Sequence, residues 1–292
     1  VRLRTVAQRH LADIRHRLAP ATVRERRYSL EHFVAHIGGD MEIRAVKKGH
    51  IEDWLHSMNV SPGTLRNRFL AVRMMFAYAV EEGWTRSKPT LGITLPRQPR
   101  RQPRALTFDD LLAIDSVLPD LRARVIVALA LNEGLRRSEI ASLQLGDIDL
   151  PSMTIRVVTV KSRSEDLLPL TEATWEDWMR PYLAERGRWP GALIYSYTTR
   201  GHLSPGRIGA MVSQWLREAG VKGAAFDGKS LHAFRHTTAD SLLRVGAPPD
   251  VIQRALRHAT LSSTWQYLRN RRSVDELRPW MGPHIRAFAD TA

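Results

Sequence analysis

The chain has 292 residues, 43% of them apolar and 25% charged, with no cysteine. This is the composition of a globular protein: it excludes a disordered or collagen-like chain, a disulfide frame, a thiol nucleophile and a cysteine-held zinc, and no apolar run reaches the ~20 residues of a bilayer span. The charge is more specific, since 44 Lys and Arg against 30 Asp and Glu leave a net +14, which points to a polyanionic partner, nucleic acid before acidic membrane.

The first ten residues, VRLRTVAQRH, are too polar for a secretory signal, and with the missing cysteines they fit a cytosolic protein. Thr22–Ile37 places Val23, Tyr28, Leu30, Phe33, Val34 and Ile37 at helical spacing before Gly38-Gly39 stops it. Ile51–Met58 predicts a short helix. Ser61-Pro62 opens a longer one, with Leu65, Phe69, Val72, Met75 and Phe76 inside and Gly83 at its end. Arg66, Arg68 and Arg73 fall on or near its remaining face and are candidate phosphate contacts. Residues 1–95 therefore read as a helical DNA-binding domain. The run LPRQPRRQPR, Leu95 to Arg104, has few backbone donors and no apolar face, so residues 96–104 read as an extended basic linker. Its Arg97, Arg100, Arg101 and Arg104 are further candidate DNA contacts. Residues 1–104 carry 20 Lys and Arg against 9 Asp and Glu, a net +11, and residues 105–292 carry 24 against 21, a net +3.

Residues 105–292 mix element types and form the second predicted domain. Thr107, with Asp110 three residues on, caps a helix to Leu118. Pro119–Asn132 reads as a buried helix and Arg137–Gln144 as a short one. Met153–Val160 and Asp166–Leu170 read as strands, which makes Lys161–Glu165 a hairpin turn. Helices are expected over Ser204–Ala219, Leu231–Val245, Pro248–Arg257 and Ser263–Arg269. The whole is mainly α with a small β-sheet: a helical first domain and an α+β second one.

Gly223 to Ser230, GAAFDGKS, matches the phosphate-loop pattern letter for letter. That loop needs a buried strand before it, and the preceding MVSQWLREAGVK is an amphipathic helix pattern, so no nucleotide site is expected.

The chemistry lies elsewhere. Gly134-Leu135-Arg136-Arg137-Ser138-Glu139, the hairpin Lys161, His232-Ala-Phe-Arg235 and His258 with Tyr267 nine residues on are the parts a metal-free phosphodiester chemistry needs. Arginine forks neutralise the non-bridging oxygens. A tyrosine attacks, and a lysine protonates the leaving alkoxide, which an arginine with a pKa above ~12 does poorly. His232 and Arg235 share a helix face at i,i+3. Lys161 is the only lysine between Lys88 and Lys222. No acidic cluster suits a two-metal site, and no metal or other cofactor is expected.

In order and spacing these blocks resemble the tyrosine recombinase family: Gly-Leu-Arg-x-Ser-Glu, a hairpin lysine, His-x-x-Arg, and Leu-x-His with a tyrosine nine residues later. Leu168-Pro169-Leu170 and Arg235-His236-Thr237 add to the likeness, which covers nearly the whole chain. Three positions depart from it. Arg257 replaces the glycine of Leu-Gly-His and is a candidate DNA contact, Glu133 stands where threonine is common, and the hairpin turn lacks a glycine.

The resemblance implies a SAM-like core-binding domain followed by a recombinase catalytic domain. It implies Arg136, Lys161, His232, Arg235, His258 and the nucleophile Tyr267 as catalytic residues, with Glu139 supporting them. It implies a 3′-phosphotyrosyl intermediate on double-stranded DNA at an attachment or crossover site. It also implies a homotetramer whose C-terminal segments, here residues 271–292, dock between subunits, and accessory DNA-bending or directionality proteins. The two-domain length fits an integrase of a phage or mobile element acting in the bacterial cytoplasm. The alternatives are a Xer-like resolvase, a type IB topoisomerase-like relaxing enzyme and a non-catalytic DNA-binding relative.

Overall fold

The computed structural model describes residues 1–97, 105–159, 164–187, 191–196, 198–199, 201–223, 228–258 and 260. The chain divides into two compact units, Val1–Arg100 and Arg101–Ala292.

The first unit is helical: α1 (Leu3–Ile14), α2 (Pro20–Ile37), α3 (Lys48–His56) and α4 (Pro62–Glu81), with a 3-10 turn at Ile43–Ala45. α4 starts where Ser61 accepts a hydrogen bond from the Thr64 amide at 3.2 Å and Pro62 supplies a pre-set φ. It ends before Gly83, whose φ of +72° suits glycine. Its buried face, Leu65, Phe69, Val72, Met75, Phe76 and Ala79, packs with Phe33 of α2 and Trp54 of α3. Each large side chain buried there contributes about 1.5–3 kcal/mol. The sequence pattern had suggested no element at α1, yet Leu3, Val6, Ala7, His10 and Ile14 form its buried stripe.

The second unit begins with α5 (Phe108–Val117), closed at its start by reciprocal bonds between Thr107 and Asp110 at 3.1 and 3.0 Å. α6 (Leu121–Leu131) is capped by Asp120 and runs through the core, and α7 (Arg137–Ser142) follows. Three antiparallel strands come next: β1 (Ile148–Asp149), β2 (Thr154–Thr159) and β3 (Ser164–Pro169). Ile155 faces Leu168 on the buried side, while Arg156 and Leu167 pair on the exposed side. Ser164 and Glu165, expected in the turn, are instead paired strand residues opposite Thr159 and Val158.

A π-helical turn over Thr174–Met179 leads into α8 (Arg180–Arg186), elements the polar sequence pattern did not announce. The winding changes beside Pro181, which has no amide to donate. The short strands β4 (Tyr195–Ser196) and β5 (Gly201–His202) pair, and α9 (Pro205–Glu218), α10 (Leu231–Arg244) and α11 (Pro249–Ala255) complete the described elements. α9, a helix and not a strand, precedes the GAAFDGKS segment. There Lys229 faces Asp110 at 3.7 Å, and Ser230 caps α10. The predicted helix Ser263–Arg269 and most of the linker, residues 98–104, lie outside the described residues.

Candidate active site

The site is built where α6 turns into α7. Glu133 is buried at the end of this helix and accepts from the Thr171 amide and from the hydroxyls of Thr171 and Thr174. Burial pushes its carboxyl up, and those bonds counter the shift only in part. Gly134 then takes a φ of +61°, and a Cβ built there meets Leu256 Cδ2 at 2.9 Å. Both facts favour glycine. Leu135 anchors in the core, so the next residue, Arg136, emerges at the start of α7.

Arg136 is fixed by four bonds. Its amide donates to Glu139 Oε2 at 2.7 Å and its Nη1 to Glu139 Oε1 at 2.6 Å. Its Nη2 donates to the carbonyls of Arg257 at 2.7 Å and Leu256 at 3.3 Å. The side chain stays 29% exposed, while Glu139 is 1% exposed. Glu139 also accepts from Arg257 Nη2 at 2.8 Å and from the Thr159 hydroxyl at 3.2 Å. Burial alone would raise its carboxyl, but the Arg257 charge and the bonds from both arginines outweigh it and hold the pKa at about 2.

α10 supplies the next residues. Leu231, Ala233 and Phe234 face the core, which orients the rest of the first turns. Arg235 is 1% exposed and donates from Nη1 to the Gly134 carbonyl at 2.5 Å. His232 lies at the surface, with its ring 4.7 Å from that of His236, edge to face. His258 follows α11, its amide bonded to Gln253.

Among the described residues, Arg136, Arg235 and Arg257 outnumber the one carboxylate at the cluster, Glu139, and the imidazoles respond. Close packing that strips water, then Arg235 and Arg136, lower His232 despite the opposing Glu139 charge. Burial, then Arg235, Arg136, His232 and Arg257, bring His258 to about 4. Burial, then His232, Arg235 and His258, do the same to His236, which lies at i+4 from His232. All three rings are therefore neutral at pH 7.

The structure thus brings together Arg136, Glu139, His232, Arg235 and His258. Thr159, at the end of β2, reaches the same cluster through Glu139. Lys161 and Tyr267 lie outside the described residues, as do Arg100, Arg101 and Arg104. Arg66 and Arg73 are exposed on α4, and Arg97 is exposed beyond it. Arg68 is half-buried, with Nη1 3.0 Å from Met58 Sδ and its guanidinium 5.1 Å over the Tyr28 ring. Arg257, expected at the DNA surface, turns inward instead: its side chain is 3% exposed and paired with Glu139. Among the described residues no three acidic or imidazole groups form a metal-binding set, and no helix is long and apolar enough to cross a membrane.

The model of the phage integrase family matches residues 104–273, which span every block named above from Gly134 to Tyr267. The chain belongs to the phage integrase family. It is similar to the tyrosine recombinase XerC of Chlamydia muridarum, 30% identical over 71% of this chain and 67% of the relative. The XerC of Myxococcus xanthus is 28% identical over 85% and 87%. Among solved structures, a lambda integrase dimer bound to a COC′ core site superposes with a TM-score of 0.76 at 17% identity, covering 94% of this chain and 79% of that one. The Tn1549 transposon integrase in complex with transposon right end DNA gives 0.75 at 17%, covering 96% and 99%. The mainly helical recombinase fold is shared with both. A member of this family with XerC relatives is a tyrosine recombinase, an enzyme.

Proposed function

We propose that this tyrosine recombinase breaks and rejoins double-stranded DNA at a crossover site as the integrase of a phage or mobile element. The observation that carries the reading is the cluster of Arg136 and Arg235 around neutral His232 and His258, with Glu139 as its only carboxylate among the described residues.

The Tyr267 oxygen attacks the phosphorus of one phosphodiester, forming a 3′-phosphotyrosyl bond as the bond to the 5′ oxygen breaks. Free tyrosine has a pKa of ~10, so its proton needs an acceptor, and His232, unprotonated at neutral pH, takes it. Arg136 and Arg235 bind the non-bridging oxygens, where charge builds in the transition state, and His258 hydrogen-bonds the same phosphate. Lys161 gives its proton to the departing 5′ oxygen. Attack by the 5′-hydroxyl of a second duplex reverses these transfers and releases the tyrosine. Each step exchanges one phosphoester bond for another, so neither ATP nor metal is consumed.

The working assembly in this reading is a homotetramer on DNA. The support is a neighbour solved as a lambda integrase tetramer bound to a Holliday junction, with a TM-score of 0.71. The enzyme acts in the bacterial cytoplasm, with DNA-bending or directionality proteins setting the outcome. A Xer-like resolvase is the second reading, favoured by the span shared with the Myxococcus xanthus protein.

The test is strand exchange in EDTA without ATP, between two labelled duplexes selected from a random pool for denaturant-resistant attachment to the protein. Recombinant duplexes are expected. Relaxation of supercoiled plasmid with no site preference and no exchange contradicts the reading and favours a topoisomerase-like enzyme.

A further inference from the structure

The environment of Arg257 assigns that residue a part in the reaction. Its φ is +49°, in the left-handed region that a side-chain-bearing residue enters at a cost. Such a conformation persists where surrounding contacts over-determine it. Here the side chain turns back beneath the site. Nη1 donates to the Ala255 carbonyl at 2.9 Å, and Nη2 donates to the Gly134 carbonyl at 3.0 Å and to Glu139 Oε2 at 2.8 Å.

These contacts close a ring. The carbonyl of Arg257 accepts from Arg136 Nη2, its guanidinium holds Glu139, and Glu139 holds Arg136 Nη1 and the Arg136 amide. A second link runs through Gly134, whose carbonyl is shared by Arg257 and Arg235. One residue therefore touches the supports of both arginines proposed to bind the phosphate, although its own side chain, 3% exposed, is out of reach of DNA.

We propose that Arg257 is a positioning residue that neutralises Glu139, so that Arg136 keeps its full charge for the scissile phosphate, and that ties Arg136 to Arg235. Without Arg257, buried Glu139 faces Arg136 alone. The formal charge of the four side chains falls from +2 to +1, and the fork of Arg136 is drawn onto the carboxylate. Beside a buried carboxylate, that loss weakens binding of the transition state more than binding of the duplex, most of whose contacts are to phosphates elsewhere. The groups facing Arg257 or sharing its partners are Arg136 just before α7, Glu139 within it, Arg235, His232 and His236 from α10, and His258 beside it.

The proposal rests on the reading of Arg136 as a phosphate ligand, and the experiment separates the two. Covalent attachment to the selected nicked duplex is timed across pH 5–8 for wild type, Arg257→Gln, Arg257→Gly, Arg257→Lys and Arg136→Ala, with duplex affinity measured at several salt concentrations. Thermal melts check folding, and Arg257→Gly, which frees the left-handed backbone, is the variant least at risk.

At saturating duplex, Gln and Gly are expected to slow attachment by about tenfold or more. Their acid limb should move toward neutral pH as His258 loses a cationic neighbour, with affinity and its salt slope unchanged. Lys, which restores the charge, should recover most of the rate. Wild-type rate and pH profile in both Gln and Gly, with Arg136→Ala inactive, overturn this proposal alone. So does a fall in affinity and salt slope with the bound rate intact, which would make Arg257 a DNA contact. Arg136→Ala attaching at the wild-type rate overturns the underlying reading and this proposal with it.

Discussion

Glu139 shows why single residues here are read through their neighbours. It is a buried carboxylate with two arginines, an amide and a hydroxyl on its two oxygens. Arg136, Arg235 and the two motif histidines were legible in the sequence because spacing and residue type carry their chemistry. The inward turn of Arg257 was not, because no sequence pattern says whether a charged side chain at a left-handed position points to solvent or to a buried acid. His10 in the first unit was equally hidden. It is 3% exposed, leans on Tyr78, and makes no hydrogen bond from either ring nitrogen. Burial, then the Arg26 and Arg17 charges, lower its pKa to about 4. Folded and unfolded states are both neutral at His10 above pH 6.5. As pH falls from 6.5 toward 4 the unfolded state takes the proton first, and the fold loses up to roughly 3 kcal/mol. His10→Leu should remove this part of the acid destabilisation. Urea melts of both proteins at pH 7.5 and 5 check it, and equal losses on acidification would show that His10 does not report this burial.

Element boundaries followed local chemistry where that chemistry is written in side chains. Ser61 with Pro62, Thr107 with Asp110, and Ser204 with Pro205 all open helices where they were expected. α1 has no side-chain cap and is held by burial of a stripe that only the tertiary fold completes. Gly134 belongs to this scale, since it joins α6 to α7 and lends its carbonyl to two arginines. Gly134→Ala should cost about 2 kcal/mol, part from the left-handed φ and part from the Leu256 contact. It should also slow covalent attachment. Pairing it with Leu256→Ala separates the parts: a double-mutant cycle measured by melts should show coupling, and strict additivity would mean that the Cβ contact is not felt.

At the scale of the whole chain the net +14 is unevenly divided, with +11 in residues 1–104 and +3 in the remainder. The first share suits salt-sensitive, sequence-independent grip on phosphates. Arg66→Ala and Arg73→Ala, both exposed on α4, should each lower the slope of log affinity against log salt by about one while leaving the attachment rate of the bound complex unchanged. An unchanged slope would place these residues off the DNA. The second share is small in number, but it includes the arginines that converge at the site. The division into helical and α+β parts was readable from composition and period, and the family from the order of its motif blocks. The central claim is that this cluster serves a tyrosine nucleophile, and peptide mapping of the denaturant-resistant adduct tests it most directly. The account predicts one modified residue, Tyr267, joined to the 3′ phosphate of the cleaved strand, with no adduct formed by Tyr267→Phe although it still binds the duplex. An adduct on any other residue, or one that survives Tyr267→Phe, would contradict it.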